Sequence, residues 1–95
     1  MSKVKAVTKK LIIMNPEDNV AVCLCSLEPG EEIDIVYNND EMVLKIMDQI
    51  PLGHKVSLKK ILKETSIIKY GEIIGKAKSE ITVGKHVHVH NVTDY

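Results

Sequence analysis

The sequence predicts a mostly β fold, and two observations indicate it. Turn-forming residues recur at short intervals along the 95 residues, as in Asn15-Pro16 and Pro29-Gly30. Such spacing is typical of many short strands joined by tight turns. The segments between these turns are rich in Val and Ile, which favour strands because β-branched side chains pack well on a pleated sheet. A chain of this length suits one domain, so we expect a single domain spanning 1–95.

The expected strands follow the turn signals in order. They are residues 11–14, 20–27, 33–37, 43–47, 67–70, 73–74 and 87–92. One segment fits neither period cleanly, because Val56 and Leu58 alternate as in a strand whereas Leu58, Ile61 and Leu62 have helical spacing. We interpret it as a strand followed by one helical turn. The first ten residues and the last three (93–95) are expected to fray.

Composition limits the classes of function. The apolar residues, 44% of the chain, include no Phe or Trp and three Tyr, so the core must be aliphatic. Thirteen Lys balance thirteen Asp and Glu, which argues against a nucleic-acid partner. The eight Lys and four acids of residues 51–95 leave that half at +4, so it can attract an anion. With no Arg in the chain, Lys, His or backbone amides would hold such an anion.

The location expected from the sequence is the cytoplasm. No segment approaches the roughly eighteen apolar residues that a membrane-spanning helix needs, and the N-terminus does not match a secretory signal. Cys23 and Cys25 would share a strand face at about 7 Å, too far for an easy disulfide. Two thiols are also too few for an iron–sulfur cluster, so we interpret both as structural.

Three of the four histidines lie at alternate positions of one expected strand. His86, His88 and His90 would form a row on one face, with Val87 and Val89 packed inward. The outer two imidazoles of a straight strand are about 13 Å apart, so one metal ion cannot bind all three. A neighbouring pair can share a metal if a loop or another chain supplies further ligands. A solvated strand face is the alternative, but this clustering favours a role in metal binding, proton transfer or anion contact.

Two further pairs of side chains carry suitable chemistry. His54 and Lys55 follow the turn 51–53, which we expect to lift both side chains out of the sheet. Lys69 and Tyr70 precede a glycine; a lysine whose pKa is lowered by burial can act as acid or base, and a tyrosine can donate a proton. The alternative for each pair is an ordinary exposed or core residue.

Four segments together resemble a known family. Residues 15–22, 50–56, 68–75 and 84–91 are similar, in the same order along nearly the whole chain, to the N-terminal domain of the altronate and galactarate dehydratases. The module also resembles the small subunit of sulfolactate sulfo-lyase. The resemblance implies a compact β-clip fold of the SAF type.

The activity that the resemblance implies is that of a sugar-acid dehydratase. Such a lyase removes the C2 proton and expels the C3 hydroxyl, leaving a 2-keto-3-deoxy acid, with a divalent metal such as Fe²⁺ (Mn²⁺ or Zn²⁺ being alternatives). The larger domain of the family is absent from this chain. We therefore expect a small subunit that is active only with a separate large catalytic subunit, with homo-oligomers of the isolated chain left open. The alternatives are a (2R)-sulfolactate sulfo-lyase subunit, a non-catalytic module that binds a metal or small acid, and a pure interaction domain.

The resemblance also selects candidate site residues in three groups. They are His54, Lys55, Lys69 and Tyr70 as catalytic candidates, His88 and His90 as metal ligands, and Asn91 as a substrate or interface residue. His86 lies at a position that the family pattern does not fix, so it is not expected to be a ligand. The remaining ligands are expected from His54 or from another chain.

Overall fold

The computed structural model describes residues 6–7 and 10–93, with side chains from residue 10 onward. The described residues form ten short strands and no helix, which confirms the mostly β prediction. None of these residues therefore forms a helix that could cross a membrane. The strands are β1 (Ala6–Val7), β2 (Leu11–Ile13), β3 (Val20–Cys23), β4 (Glu32–Tyr37), β5 (Asp40–Lys45), β6 (Lys55–Ser57), β7 (Ser66–Lys69), β8 (Glu72–Ala77), β9 (His86–Val87) and β10 (Val92–Thr93).

The strands are arranged in three antiparallel sheets. The largest has the order β1-β2-β3-β6-β9, the second has the order β10-β8-β7, and β4 and β5 form a separate hairpin. The hairpin turns at Asn38 and Asn39, whose positive φ angles of 55° and 69° suit asparagine, which tolerates the left-handed region. Along β4 the residues alternate, with Ile33 and Ile35 buried and Glu32 and Asp34 exposed.

Two aliphatic clusters form the core. The first joins β2, β3, β6 and the β4–β5 hairpin, and the second lies under β7, β8 and β9. Residues of β3 contribute to both, since Ala21 belongs to the first cluster and Val20 to the second. Strand β6 lies between β3 and β9 and therefore joins the two halves of the molecule. Cys23 and Cys25 are both free thiols, as expected, and burial raises the pKa of Cys23 to about 12.

The segment after β6 differs from its prediction. The helical turn expected near Ile61 is absent from the described residues, and that prediction is wrong. Ile61 instead forms an isolated antiparallel bridge with Ile81, in which each backbone N–H donates to the other residue's carbonyl. Both side chains enter the second core cluster, so a tertiary pairing replaces the local helical preference.

The chain ends also carry paired strands. Ala6 and Val7 pair with Ile13 and Ile12, and Thr93 pairs with Lys76. The other terminal residues expected to fray, apart from the tenth, lie outside the described residues.

Candidate functional site

The four histidines meet beside the pair formed by β6 and β9. In this antiparallel pair Lys55 lies opposite Val87 and Val56 lies opposite His86. Continuing the register by one residue places His54 directly opposite His88. Side chains at opposed and alternate positions share one face of a sheet, so His54, His86 and His88 converge although 32 residues separate the first two along the chain.

The imidazoles are in direct contact. His54 Nδ1 and His86 Nε2 are 2.8 Å apart and share a hydrogen bond. The rings of His54 and His88 are stacked with centroids 3.8 Å apart, and those of His86 and His88 are 5.7 Å apart. The fourth ring, that of His90, is tilted against His86 at 4.9 Å. The histidines therefore form one cluster and not a linear row.

The strand expected over 87–92 is wrong, because the chain leaves β9 after Val87 and turns. Asn91 closes this turn: its Oδ1 accepts the His88 N–H, its Nδ2 donates to the His86 carbonyl, and its own N–H donates to the His88 carbonyl. The turn brings His90 back beside His86, so the separation of about 13 Å expected for a straight strand does not hold. It also turns Val89 outward, where 59% of the residue is exposed. Asn91 is thus a residue that shapes the histidine turn.

Asp48 supports the cluster from the outer edge of β9. Its carboxylate accepts the backbone N–H of His86 at 3.0 Å and lies 3.4 Å from the Lys85 ammonium. Asp48 is not among the site residues expected from the sequence. Nothing in its local sequence distinguishes it from the other acids of the segment, since its contact partner is 38 residues away.

The protonation states of two histidines follow from this crowding. Burial, followed by the charges of His90, His54 and His88, lowers the pKa of His86 from its ordinary value of 6.5 to about 4, although Asp48 acts in the opposite direction. Burial also lowers the pKa of His88, with smaller contributions from the neighbouring charges of His54 and Lys55. Both imidazoles are therefore neutral near pH 7, which is the form that binds metal ions.

Three of the histidines offer a set of donors that fits a metal ion. One ligand atom from each of His54, His86 and His88 lies within 4.8 Å of the others. Two ligands of the same ion are about 3 to 3.5 Å apart, so small side-chain movements would bring the three nitrogens into one coordination sphere. His88 Nδ1 is the one buried side-chain N or O atom within residues 10–93 that has no hydrogen-bond partner. Imidazole donors suit Fe²⁺ and Zn²⁺.

The donor set differs from the expected pair. His54, the expected co-ligand, belongs to it, and so does His86, which the family pattern had left aside. His90 is exposed and touches the set only through its ring contact with His86. The alternate spacing with His88 was the signal that could have identified His86 from the sequence.

Lys55 does not lie where the sequence predicted. The turn 51–53 leaves His54 half-buried, but Lys55 is only 4% exposed, so the expectation that the turn lifts its ammonium out of the sheet is wrong. The residue already belongs to β6, and its side chain points to the face opposite that of His54. Its charge is still close enough to lower the pKa of His88.

Lys69 and Tyr70 lie away from the histidine cluster. Tyr70 and Gly71 form the turn between β7 and β8, and the Gly71 N–H donates to the Asp18 carboxylate just before the start of β3. His54 lies at the other end of β3, where the Cys23 N–H donates to its carbonyl, and His86 lies in β9, two strands across the sheet from β3. Among the described residues neither side chain is hydrogen-bonded to a histidine or stacked on one.

The fold and the cluster define a small all-β domain that carries an imidazole centre on one sheet edge. A family model for the altronate/galactarate dehydratase SAF domain matches residues 9–95, and the chain belongs to this family.

Two relatives are much longer than this chain. The altronate dehydratase of Bacillus subtilis (strain 168) is 37% identical over 83 residues, which are 87% of this chain and 16% of that protein. The altronate dehydratase of Escherichia coli (strain K12) is 40% identical over 74 residues, 78% of this chain and 14% of that protein. The chain therefore spans about one-sixth of the length of these relatives or slightly less.

Two other relatives are short proteins, and the match covers most of each. The (2R)-sulfolactate sulfo-lyase subunit alpha of Chromohalobacter salexigens is 30% identical over 84 residues, which cover 85% of this chain and 89% of that protein. The subunit of the same name from Paracoccus pantotrophus is 42% identical over 57 residues, 60% of this chain and 85% of that protein. The relatives thus carry this domain either within a long chain or as most of a short subunit.

Proposed function

We propose that this chain is the small, histidine-bearing part of a lyase of the altronate/galactarate dehydratase type and that it works with a large catalytic subunit. The observation that supports the proposal most directly is the convergence of His54, His86 and His88 on one face of the sheet. The substrate class is a sugar acid that carries hydroxyl groups at C2 and C3. Loss of the C2 proton and the C3 hydroxyl gives water and a 2-keto-3-deoxy acid.

In this proposal the three clustered imidazoles hold a divalent cation, Fe²⁺ in the first instance, with Mn²⁺ and Zn²⁺ as alternatives. When bound, the cation supplies positive charge that stabilises the negative charge developing on the substrate carboxylate as the C2 proton leaves. His90, which is exposed and in ring contact with His86, is proposed to contact the substrate at the rim of this centre. Asp48 and Asn91 act as positioning residues, since each bonds the backbone of the histidine segment.

The partner follows from the incompleteness of the site. A hydro-lyase must also bind the substrate carboxylate and hydroxyls, and the cluster supplies only imidazoles and nearby lysine charge. The altronate dehydratases carry more than four-fifths of their length outside the match, enough for a large catalytic domain. We propose that Lys69 and Tyr70 meet this large partner and not the histidines of their own chain.

A second candidate is the small subunit of a sulfo-lyase, in which sulfite leaves in place of water. The match to 89% and 85% of two sulfo-lyase alpha subunits favours it. A third candidate, from another class, is a module that uses the same imidazoles only to bind a metal or a small acid.

Copurification and reconstitution test the proposal. We expect the tagged chain to retain a large dehydratase-like protein from its native cell, and the pair to dehydrate a sugar acid in a metal-dependent way. Altronate, galactarate and sulfolactate are compared as substrates, because release of sulfite identifies the second candidate. Failure to recover any large partner, together with metal uptake by the chain alone, would favour the binding module.

Histidine variants then test the cluster. Replacement of His54 or His88 by alanine is expected to reduce metal affinity by about 10- to 100-fold or more and to lower the reconstituted rate by a similar factor. Lys59→Ala changes an exposed lysine on the loop after β6 and serves as the control. Unchanged metal content and rate in both histidine variants would refute the proposed metal centre.

A further inference from the structure

We infer that the turn between β7 and β8, with Tyr70 at its tip, is a docking surface for the large catalytic subunit and lies outside the histidine centre. This inference rests on the proposed function and adds to it the place where the partner binds. It is carried by the backbone of Tyr70, by the way the turn is held, and by the exposed side chains around it.

The backbone of Tyr70 adopts a conformation that tyrosine disfavours. Its φ is +56°, in the left-handed region, where a Cβ atom crowds the backbone and where glycine and asparagine are preferred. In the other two-residue hairpin turn the chain meets the same requirement with asparagine, at Asn38 and Asn39, and outside the hairpins Glu64 also has a positive φ, of 71°. Turn geometry therefore does not explain an aromatic residue at this position. Strained positions of this kind cluster at functional sites.

Hydrogen bonds and packing from the loop 14–18 also fix the backbone of the turn. The Gly71 N–H donates to Asp18 Oδ1 at 2.7 Å, and Asp18 Oδ2 accepts the N–H groups of Met14 and Asn15. Asp18 is fully buried. A side chain at Gly71 would meet Asn15 Nδ2 at 2.7 Å, so the loop 14–18 packs directly against the turn. The tip of the hairpin is thus ordered before any partner binds, which reduces the entropic cost of docking.

The surface around the turn is suited to a protein partner. Tyr70 is 44% exposed and Ile73, three residues further on, is 68% exposed, the largest exposed fraction among the large apolar residues of the described chain. Met14, bonded through Asp18 to the same turn, is 37% exposed. The Lys69 ammonium lies 5.3 Å from the centre of the Tyr70 ring. An exposed aromatic ring beside a lysine, on a hairpin that also exposes a large apolar residue, is typical of an interface anchor, which would enter an apolar pocket of the partner.

The position of the turn indicates which partner this is. The turn is bonded at Asp18, before the start of β3, whereas His54 is bonded at Cys23, the last residue of β3, and within the described residues no hydrogen bond or ring contact joins Lys69 or Tyr70 to a histidine. A partner that contains the other four-fifths of an altronate dehydratase is large enough to cover the histidine edge and this turn together. We therefore assign the occupant as the large catalytic subunit.

Binding measurements with three variants test the assignment on the reconstituted pair. Tyr70→Asn keeps a residue that tolerates the left-handed backbone but removes the ring, and we expect the Kd for the large subunit to rise about tenfold or more. Tyr70→Phe keeps the ring and should restore binding to near the wild-type value. Val43→Thr changes an exposed strand residue on the other hairpin and should leave binding unchanged. The thermal midpoint of Tyr70→Asn alone should equal or exceed that of the wild type, because the strain at residue 70 is relieved.

Three results would overturn the inference. The first is a wild-type Kd in Tyr70→Asn. The second is wild-type binding in both Tyr70 variants with a loss of kcat in Tyr70→Phe, which would place the hydroxyl in the reacting centre. The third is a thermal midpoint of Tyr70→Asn well below that of the wild type, which would give Tyr70 a structural role. If the wild-type chain binds no large subunit, the proposed function itself fails, so the two failures are distinguishable.

Discussion

At the scale of single residues, His86 is the histidine whose ring contacts all three of the others, His54, His88 and His90. Its backbone N–H donates to the Asp48 carboxylate. Burial and three neighbouring imidazoles disfavour a positive charge on it, and its pKa is about 4. A neutral His86 can offer a lone pair to a metal ion and can also share the hydrogen bond with His54.

This shift predicts how the stability of the metal-free chain depends on pH. In the unfolded chain His86 takes up a proton near its ordinary pKa of 6.5, whereas in the folded chain it stays neutral down to about 4. Between these values the unfolded state binds more protons, so the free energy of unfolding falls as the pH is lowered. We expect the contribution of His86 to stability to be constant above about pH 7, and stability to decrease from about pH 6.5 to pH 5. Urea unfolding at a series of pH values measures the slope.

The matched control is His86→Gln, which removes the titrating group and retains a polar side chain. Its stability should vary less between pH 7 and pH 5 than that of the wild type. NMR titration of the imidazole provides a direct second readout. An apparent pKa of His86 near 6.5 in the folded chain would contradict the prediction.

At the scale of elements, the segment before β3 joins the β7–β8 hairpin to the main sheet. The Asp18 carboxylate accepts the Gly71 N–H in the turn of this hairpin. Asn19 continues the connection, since its Oδ1 accepts the Ile68 N–H and its Nδ2 donates to the Ser66 carbonyl. Both residues are buried, so these bonds take the place that water would have in an open loop.

Removal of the Asp18 carboxylate should therefore destabilise the fold. Asp18→Ala leaves three backbone N–H groups without their acceptor, and we expect a loss of about 2 to 4 kcal/mol in the free energy of unfolding. Asp34→Ala, at an exposed position of β4, is the control and should change stability by less than about 0.5 kcal/mol. Urea denaturation measures both. An equal effect of the two substitutions would contradict the role given to Asp18.

At the scale of the whole molecule, the two core clusters are joined through β3, which contributes residues to both. Ile50 belongs to the first cluster and Ile67 to the second, and each is fully buried. Because β3 contributes to both clusters, neither half can lose its packing without exposing the other. The domain should therefore unfold in one cooperative transition.

Core truncations test this cooperativity. Ile50→Ala and Ile67→Ala should each lower the free energy of unfolding by about 2 to 5 kcal/mol. Each should do so in a single transition that has the same midpoint by far-ultraviolet circular dichroism and by tyrosine fluorescence. Two separate transitions in either variant would show that the clusters unfold independently.

Much of the fold could be predicted from local patterns. The strand expected at 33–37 agrees with β4, because its formation depends on short-range chemistry, namely β-branched side chains next to a turn. The prediction of a helical turn near Ile61 is wrong because backbone pairing with Ile81, twenty residues away, outweighs the local helical preference. The prediction that the strand continues straight after Val87 is wrong because the Asn91 side chain is hydrogen-bonded to the backbone of His86 and His88 and bends the segment.

The sequence alone determined the fold class, the family, and a concentration of imidazoles near the end of the chain, because strand propensity, turn chemistry and residue identity are local properties. Only the tertiary structure decided which side chains form the candidate site. The register of β6 against β9 brings His54 to His86 and His88, directs Lys55 to the opposite face, and leaves Tyr70 beyond the far end of β3. Register is set by which apolar residues enter the shared core, so it depends on the whole chain folding together.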